Sequence, residues 1–334
     1  MNASVIGAGS WGTALAMQLA RAGNAVRLWD HRPERAVAMQ RDRENTRYLP
    51  GLRFPDGITV FADMTEALDG AELIVEVIPS QSVRAVMTTA RPHIPDGALI
   101  CCASKGIEQN SLMTMEEVLR DVLPEETHTR LSFLAGPSFA KEVAAGQPTG
   151  VVVAGRDEAV SQQVAQAFHA GYFRVYHTDD IIGAELGGAL KNIIAIACGA
   201  ADGMGMGLNT RAMIMTRGLA EITRLAVARG ANPLTLAGLA GMGDLVLTCT
   251  GNLSRNRRVG LGLGQGKPLE QILEELGQVA EGVMTSRSAN ALADATGVDM
   301  PIVREVYKML YENKSVQATV EDLFHRSRKA ERRS

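Results

Sequence analysis

Aromatic residues are scarce in this chain of 334 residues, at 4 %. That scarcity argues against the stacking platforms with which proteins hold single-stranded nucleic acid. An excess of either charge is also missing: 34 Lys and Arg stand against 37 Asp and Glu, a net charge of −3. Such a balance gives no argument for a nucleic-acid partner, although it leaves room for a local anion site. Only four cysteines occur, Cys101, Cys102, Cys198 and Cys249. They form no C-x-x-C pair and no His/Cys cluster at metal-ligand spacing, so no metal is expected. They read as buried free thiols, which suits a reducing, cytoplasmic setting. No uninterrupted apolar run is long enough to span a bilayer. The first residues read as a strand, Ser4-Val5-Ile6, without the basic segment and cleavage site of a signal peptide.

What is present is an ordinary globular composition, 46 % apolar and 21 % charged. The length exceeds what one core usually serves, so two domains are expected. The first half alternates strand-like and helical runs. Strands are expected at 3–6, 25–29, 58–61, 73–78, 98–103, 131–135, 150–154 and 173–176. Helices are expected between most of them, at 13–22, 64–68, 81–90, 112–123 and 159–169. This alternation implies βαβ units and a mostly parallel sheet. After Thr178 the strand runs vanish. Helices are expected at 181–201, 210–229, 269–276, 285–296 and 303–310, punctuated by Pro233 and by glycine runs at 238–243 and 260–266. The expected class is α/β: a Rossmann-like domain over 1–178, an all-α domain over 179–324, and a basic, solvated tail over 325–334. Met204, Met206, Met213 and Met215 read as helical core packing.

Gly7-Ala8-Gly9-Ser10-Trp11-Gly12 follows the first strand and opens the first helix. In a G-x-G-x-x-G of that placement, the first glycine permits a tight turn. The second lets the backbone approach a pyrophosphate, and the third lets the helix pack on the sheet. The helix N-terminus supplies free N–H groups to the phosphates. Asp30 ends the second strand, where a carboxylate can hold a ribose 2′-hydroxyl. His31 and Arg32 follow it, and these suit a 2′-phosphate instead. The two signals conflict, so NAD and NADP both stay open, with a lean to NADP.

Seven further segments, in order, resemble the soluble bacterial NAD(P)-dependent sn-glycerol-3-phosphate dehydrogenases. They are Asn45-Thr46-Arg47-Tyr48-Leu49-Pro50-Gly51, Ser104-Lys105-Gly106-Ile107-Glu108, Gly136-Pro137-Ser138-Phe139-Ala140, Leu190-Lys191-Asn192, Gly241-Met242-Gly243-Asp244-Leu245, Ser254-Arg255-Asn256-Arg257 and Ala280-Glu281-Gly282. The likeness runs from about Val5 to Leu310. One departure is Glu76, in the strand at 73–78, where the family usually has a small or apolar residue. A lone carboxylate in a buried strand is costly, so Glu76 either faces a polar cleft or has an unidentified partner.

The resemblance implies reversible hydride transfer between NAD(P)H and dihydroxyacetone phosphate, giving sn-glycerol 3-phosphate for phospholipid synthesis. Such a reduction needs a proton donor with a pKa near working pH. Lys191 lies in the small, apolar run Gly187-Gly188-Ala189-Leu190. By itself it could be a snorkelling lysine; the resemblance implies the general acid/base. Lys105 follows the strand at 98–103, on the side where open α/β sheets bind ligands. Arg255 offers a planar fork suited to phosphate, and Ser254 and Asn256 add neutral donors. By composition alone, the segment 255–258 reads as a solvated basic loop. Asp244 is placed to bond Lys191 or a substrate hydroxyl, and Thr248 shares its face if that segment is helical.

The resemblance thus implies a substrate site of Lys105, Gly136, Ser138, Lys191, Asn192, Asp244, Thr248, Ser254, Arg255 and Asn256. It implies a cofactor site of Gly7, Gly9, Ser10, Trp11, Gly12, His31, Arg32, Tyr48, Pro79, Lys105, Ala140, Arg255, Val279 and Glu281. Two rival readings stay open. One is a β-hydroxyacid dehydrogenase of the 6-phosphogluconate dehydrogenase type, against which the segments at 48–50, 136–138 and 254–256 argue. The other is a dinucleotide-sensing protein without catalysis, against which the joint presence of Lys105, Lys191, Asp244 and Arg255 argues. The oligomeric state is open, a homodimer among the options.

Overall fold

Short β-branched runs and helical runs alternate through the first half, and each strand finds a neighbour in one sheet. The structure, a computed structural model, describes residues 1–327. The strands are β1 (Asn2–Ile6), β2 (Ala25–Trp29), β3 (Ile58–Phe61), β4 (Leu73–Glu76), β5 (Leu99–Cys102), β6 (Leu131–Ala135), β7 (Thr149–Ala154) and β8 (Phe173–Thr178). All eight expected strands are present. Between them run α1 (Ser10–Arg21), α2 (Pro33–Asp42), α3 (Met64–Leu68), α4 (Val83–Ala90), α5 (Met115–Val122), α6 (Ala140–Ala144) and α7 (Glu158–Phe168). The sheet order is β3-β2-β1-β4-β5-β6-β7-β8. Only the β6–β7 pair is antiparallel. The order reverses between β1 and β4, so a crevice opens there beyond the carboxyl ends of the strands.

The second part is helical: α8 (Ile181–Gly203), α9 (Leu208–Ala228), α10 (Pro233–Ala237), α11 (Asp244–Thr250), α12 (Arg255–Gly264), α13 (Leu269–Leu276), α14 (Glu281–Thr296), α15 (Pro301–Tyr311) and α16 (Val316–Phe324). A π-helical turn, Leu239–Gly243, leads into α11. α8 is long and apolar enough to cross a membrane by length and composition, which the sequence reading did not anticipate. It is instead mostly buried as the axis of the helical part. Ile181 and Ala184 share a core with Ile6, Ile100 and Phe133 of the sheet, which joins the two parts at this helix.

The segment 255–264 is a helix, where a basic loop and a glycine break were expected. Its glycines serve helix–helix approach. A Cβ on Gly260 would lie 1.9 Å from Ile196 O, and one on Gly264 would lie 2.2 Å from Ala200 O. On the facing side, a Cβ on Gly199 would lie 2.0 Å from Arg257 O. α8 and α12 therefore cross backbone to backbone, at a distance only glycine permits.

Of the four methionines, Met215 packs against the helical core. Met204 and Met213 are exposed, while Met206 and Met215 are half-buried. Met206 and Met213 line an apolar groove of about 1400 Å³ with walls from α8, α9, α15 and α16. Of the expected tail, Arg326 is held at 2.9 Å to Asp299; residues 328–334 lie outside the described ones.

Candidate functional site

The dinucleotide fingerprint has three glycines with three different reasons. Gly7 has φ +115°, and a Cβ there would meet Val77 O at 2.3 Å. A Cβ on Gly12 would meet Gly7 O at 1.8 Å. These two glycines make the turn and the helix–strand approach possible. A Cβ on Gly9 would meet nothing within 4 Å. Gly9 thus faces open space above the N-terminus of α1, which carries no side-chain cap. Free N–H groups and a helix dipole over an open face fit a pyrophosphate. Ser10 and Trp11 begin the helix, and the buried Trp11 Nε1 has no hydrogen-bond partner among the described residues. The Asn45 amide donates to Ala8 O at 2.9 Å and to Thr13 Oγ1 at 2.8 Å, so it ties the segment carrying Tyr48 to the glycine turn.

At the far edge of this cradle Asp30 is 1 % exposed. Its Oδ1 accepts from Arg32 N at 2.9 Å and from Arg35 Nη2 at 2.6 Å. The guanidinium that neutralises Asp30 is therefore that of Arg35. Arg35 also donates to Tyr48 Oη at 3.2 Å, and Arg47 lies 5.5 Å over the same ring. The side chains of His31, Arg32 and Arg47 are exposed. Asp30 lies beneath this cationic rim, and its buried Oδ2 has no hydrogen-bond partner among the described residues.

Opposite lies the turn after β4. Pro79 begins it, and Ser80 Oγ donates to Glu281 Oε2 at 2.9 Å. Glu281 opens α14, and burial pushes its carboxyl above the usual range. Arg255 Nη1 donates to Val279 O at 3.0 Å, whereas the Val279 side chain is half exposed. Arg255 is also within electrostatic reach of Glu281 and Tyr48, one from each part of the chain. Burial lowers its pKa, but a guanidinium stays charged. Ala140 opens α6 and packs, like Trp11, on the sheet core.

Two lysines from different parts of the chain converge on Asp244. It is the first residue of α11 and 1 % exposed. Its Oδ1 accepts from Lys191 Nζ on α8, and its Oδ2 accepts from Lys105 Nζ at 2.8 Å. Gly188 lies beside the Lys105 stem, at 3.4 Å from a would-be Cβ to Cδ. The small run in α8 thus makes room for the second lysine. Burial opposes ionisation of Asp244, but the two ammonium groups outweigh it and hold the carboxyl below its ordinary value. Burial lowers Lys191 from 10.5 to about 8, Lys105 adds to the drop, and Asp244 opposes it. A buried amine titrating near neutrality is equipped for proton transfer. Thr248 lies on the same face of α11, and its Oγ1 donates to Asp244 O at 2.6 Å. The Gly136–Ser138 turn stands alongside. Ser138 Oγ donates to Gly136 O at 3.0 Å, and Pro137 lies 3.6 Å from a Cβ placed on Gly243.

Ser254, Arg255 and Asn256 occupy the N-terminus of α12. Ser254 Oγ caps it, accepting from Arg257 N at 3.2 Å. Asn256 Oδ1 accepts from Gly282 N at 2.9 Å, and a Cβ on Gly282 would lie 2.8 Å from Asn192 O. The start of α12, the start of α14 and the middle of α8 therefore meet beside Lys191. A guanidinium at a ten-residue helix N-terminus is a combination suited to a phosphate dianion.

Sequence reasoning did not give the pairings of Ser80 with Glu281, of Arg35 with Asp30 and Tyr48, or of Asn45 with Ala8 and Thr13. It also missed Asp202, whose carboxylate holds Arg257 at 2.6 Å and Arg211 at 2.7 Å. No local pattern signals such pairs. Glu76 does have partners: Ser104, Cys102 and the backbone of Ile78.

Known proteins resemble this chain along nearly its whole length. Residues 2–161 match the model of the NAD-dependent glycerol-3-phosphate dehydrogenase N-terminus, and 180–321 match that of its C-terminus. A glycerol-3-phosphate dehydrogenase [NAD(P)+] of Citrifermentans bemidjiense is 53 % identical over 98 % of both chains. That of Anaeromyxobacter dehalogenans is 53 % identical over 99 % of this chain and all of its own. The crystal structure of glycerol-3-phosphate dehydrogenase from Coxiella burnetii superposes with TM-score 0.92 at 40 % identity, over 97 % of this chain and 99 % of that one. With both halves matched and relatives of this identity covering it, the chain belongs to the NAD-dependent glycerol-3-phosphate dehydrogenase family.

Proposed function

We infer that the protein is an NAD(P)-dependent glycerol-3-phosphate dehydrogenase, an oxidoreductase that reversibly reduces dihydroxyacetone phosphate to sn-glycerol 3-phosphate. The observation that carries the reading is the Lys191–Asp244–Lys105 cluster at the crevice mouth. When bound, the reduced nicotinamide supplies the hydride that reaches the C2 carbonyl carbon. Lys191 Nζ gives its proton to the oxygen at C2 as charge develops there, and takes it back in the reverse direction. Asp244 keeps the amine oriented and partly charged. Lys105, on the other oxygen of Asp244, polarises the carbonyl or meets the phosphate. Arg255, with Ser254 and Asn256 at the start of α12, holds the phosphate, and Asn192 and Thr248 line the same side. The Gly7–Gly12 turn binds the pyrophosphate, and Pro79, Ala140, Val279 and Glu281 border the nicotinamide half.

The pairing of Asp30 with Arg35 and the exposed His31 and Arg32 favour NADP over NAD at the 2′ position. We assign residues 1–178 to the dinucleotide domain and 179–324 to the catalytic helical domain, with the site between them. Unpaired, buried thiols suit a cytoplasmic enzyme. Its product would feed phospholipid synthesis.

Initial rates with dihydroxyacetone phosphate against NADPH and NADH test the assignment. Turnover with a β-hydroxyacid but none with dihydroxyacetone phosphate would favour the 6-phosphogluconate dehydrogenase type. Dinucleotide binding without turnover of any phospho-ketone would mark a sensor.

A further inference from the structure

Glu76 ends β4 with none of its surface exposed, directly between Ile6 of β1 and Cys102 of β5. Among the described residues no cation pairs with it. The titratable groups that act on it or feel it are Cys101 and Cys102 on β5, Glu281 on α14 and, through Cys102, Glu185 on α8. None of them carries positive charge.

The hydrogen bonds around Glu76 can be counted by protons. Ser104 Oγ lies 2.5 Å from Ile78 O and 2.6 Å from Glu76 Oε1. A hydroxyl has one proton, and a carbonyl oxygen has none to give. If the Ser104 proton goes to Ile78 O, the proton in the second contact must sit on the carboxyl. Ile78 N lies 3.0 Å from both Ser104 Oγ and Glu76 Oε1 and has only its single N–H to share. Cys102 Sγ is 2.9 Å from Oε2, where its thiol donates. Every close contact is satisfied when Glu76 is a carboxylic acid. With a carboxylate, one of the two shortest contacts has no hydrogen in it.

We propose that Glu76 is a positioning residue that acts as a neutral carboxylic acid: its proton closes a Glu76–Ser104–Ile78 relay that fixes the loop carrying Lys105. The relay joins the turn after β4, which leads to Pro79, to the turn after β5, which leads to Lys105. Lys105 then reaches Asp244 from a fixed base. Burial, which pushes the Glu76 carboxyl up, agrees with the proton count. The consequence for catalysis rests on Lys105 being a substrate-binding lysine; the protonation of Glu76 does not.

Infrared difference spectra of the wild-type protein against Glu76→Gln, at neutral pH, read the protonation directly. The expected result is a protonated-carboxyl C=O band present in the wild type and absent in the variant. An ionised-carboxylate difference overturns the proposal, whatever the enzyme's substrate. In kinetics, Glu76→Ala should raise KM for dihydroxyacetone phosphate about three- to tenfold, the range one lost hydrogen bond gives. Glu76→Gln, whose amide can donate to Ser104, should restore KM to within about twofold of wild type. Equal damage in both variants, or none in Glu76→Ala, contradicts the positioning role. Should Glu76→Ala not fold, Ser104→Ala breaks the same relay from the turn after β5 and should raise the same KM; an unchanged KM there contradicts it equally.

Discussion

Arg35 Nη2 lies 2.6 Å from Asp30 Oδ1, and this contact takes the charge of Asp30 out of play at the cofactor edge. An exposed carboxylate at the end of the second strand repels a 2′-phosphate. A buried one already paired to a guanidinium does not. The exposed Arg32 is then free to meet the phosphate. Arg32→Ala should raise KM for NADPH roughly ten- to a hundredfold, the range of a charge-assisted bond, and leave NADH nearly unchanged. Arg35→Ala should unmask Asp30 and also disfavour NADPH. Equal losses for both cofactors in Arg32→Ala would show that it does not read the 2′ position.

With Lys191 as the proposed general acid, its pKa, lowered to about 8 mainly by burial, should set the pH dependence. Reduction of the ketone needs the ammonium form, so kcat/KM should hold below about pH 8 and fall above it. Oxidation of glycerol 3-phosphate needs the neutral amine, so its rate should rise toward that pH and level off. Asp244 favours the charged form, so Asp244→Asn should move both limbs to lower pH. Limbs that stay put in that variant would separate the titration from Lys191.

Arg255→Ala should act on binding more than on chemistry. We expect KM for dihydroxyacetone phosphate to rise by the equivalent of about 1.5–3 kcal/mol, with reduced discrimination against unphosphorylated dihydroxyacetone. Steady-state kinetics with both ketones would read this. No change in either constant would place the phosphate elsewhere.

Gly260→Ala tests the α8–α12 crossing. Alanine gains about 1 kcal/mol of helix propensity over glycine. Its Cβ, however, would lie 1.9 Å from a backbone oxygen that cannot swing away. Overpacking costs about 1–3 kcal/mol, so a net loss in denaturant midpoint is expected. Gly207, where a Cβ meets nothing within 4 Å, serves as the control. A stability gain at Gly260 would refute the close crossing.

The sheet was legible because each strand is a short apolar run between turn residues, and all eight fall where the pattern puts them. α2 was not, because only Ala36 and Met39 of its ten residues are buried and its pattern is weak. α12 was misread for a different reason. Its glycines are breakers by local propensity, and only contact with α8 makes them helical. The site residues were legible as motifs and the Lys191–Asp244 pairing was one of two options, but the second lysine on Asp244, Lys105, was not foreseen. Lys191 and Asp244 are 53 residues apart, and packing of α11 on α8 joins them. Glu76 looked isolated because two of its partners come from another segment, Cys102 in register on the neighbouring strand and Ser104 just beyond its end.

The most direct test of the central claim is the single-turnover reduction of dihydroxyacetone phosphate by Lys191→Ala at saturating NADPH. Loss of a general acid should slow the hydride step by about 10²–10⁴, while NADPH binding stays near wild type. A Lys191→Ala protein that reduces the ketone at nearly the wild-type rate would contradict the account.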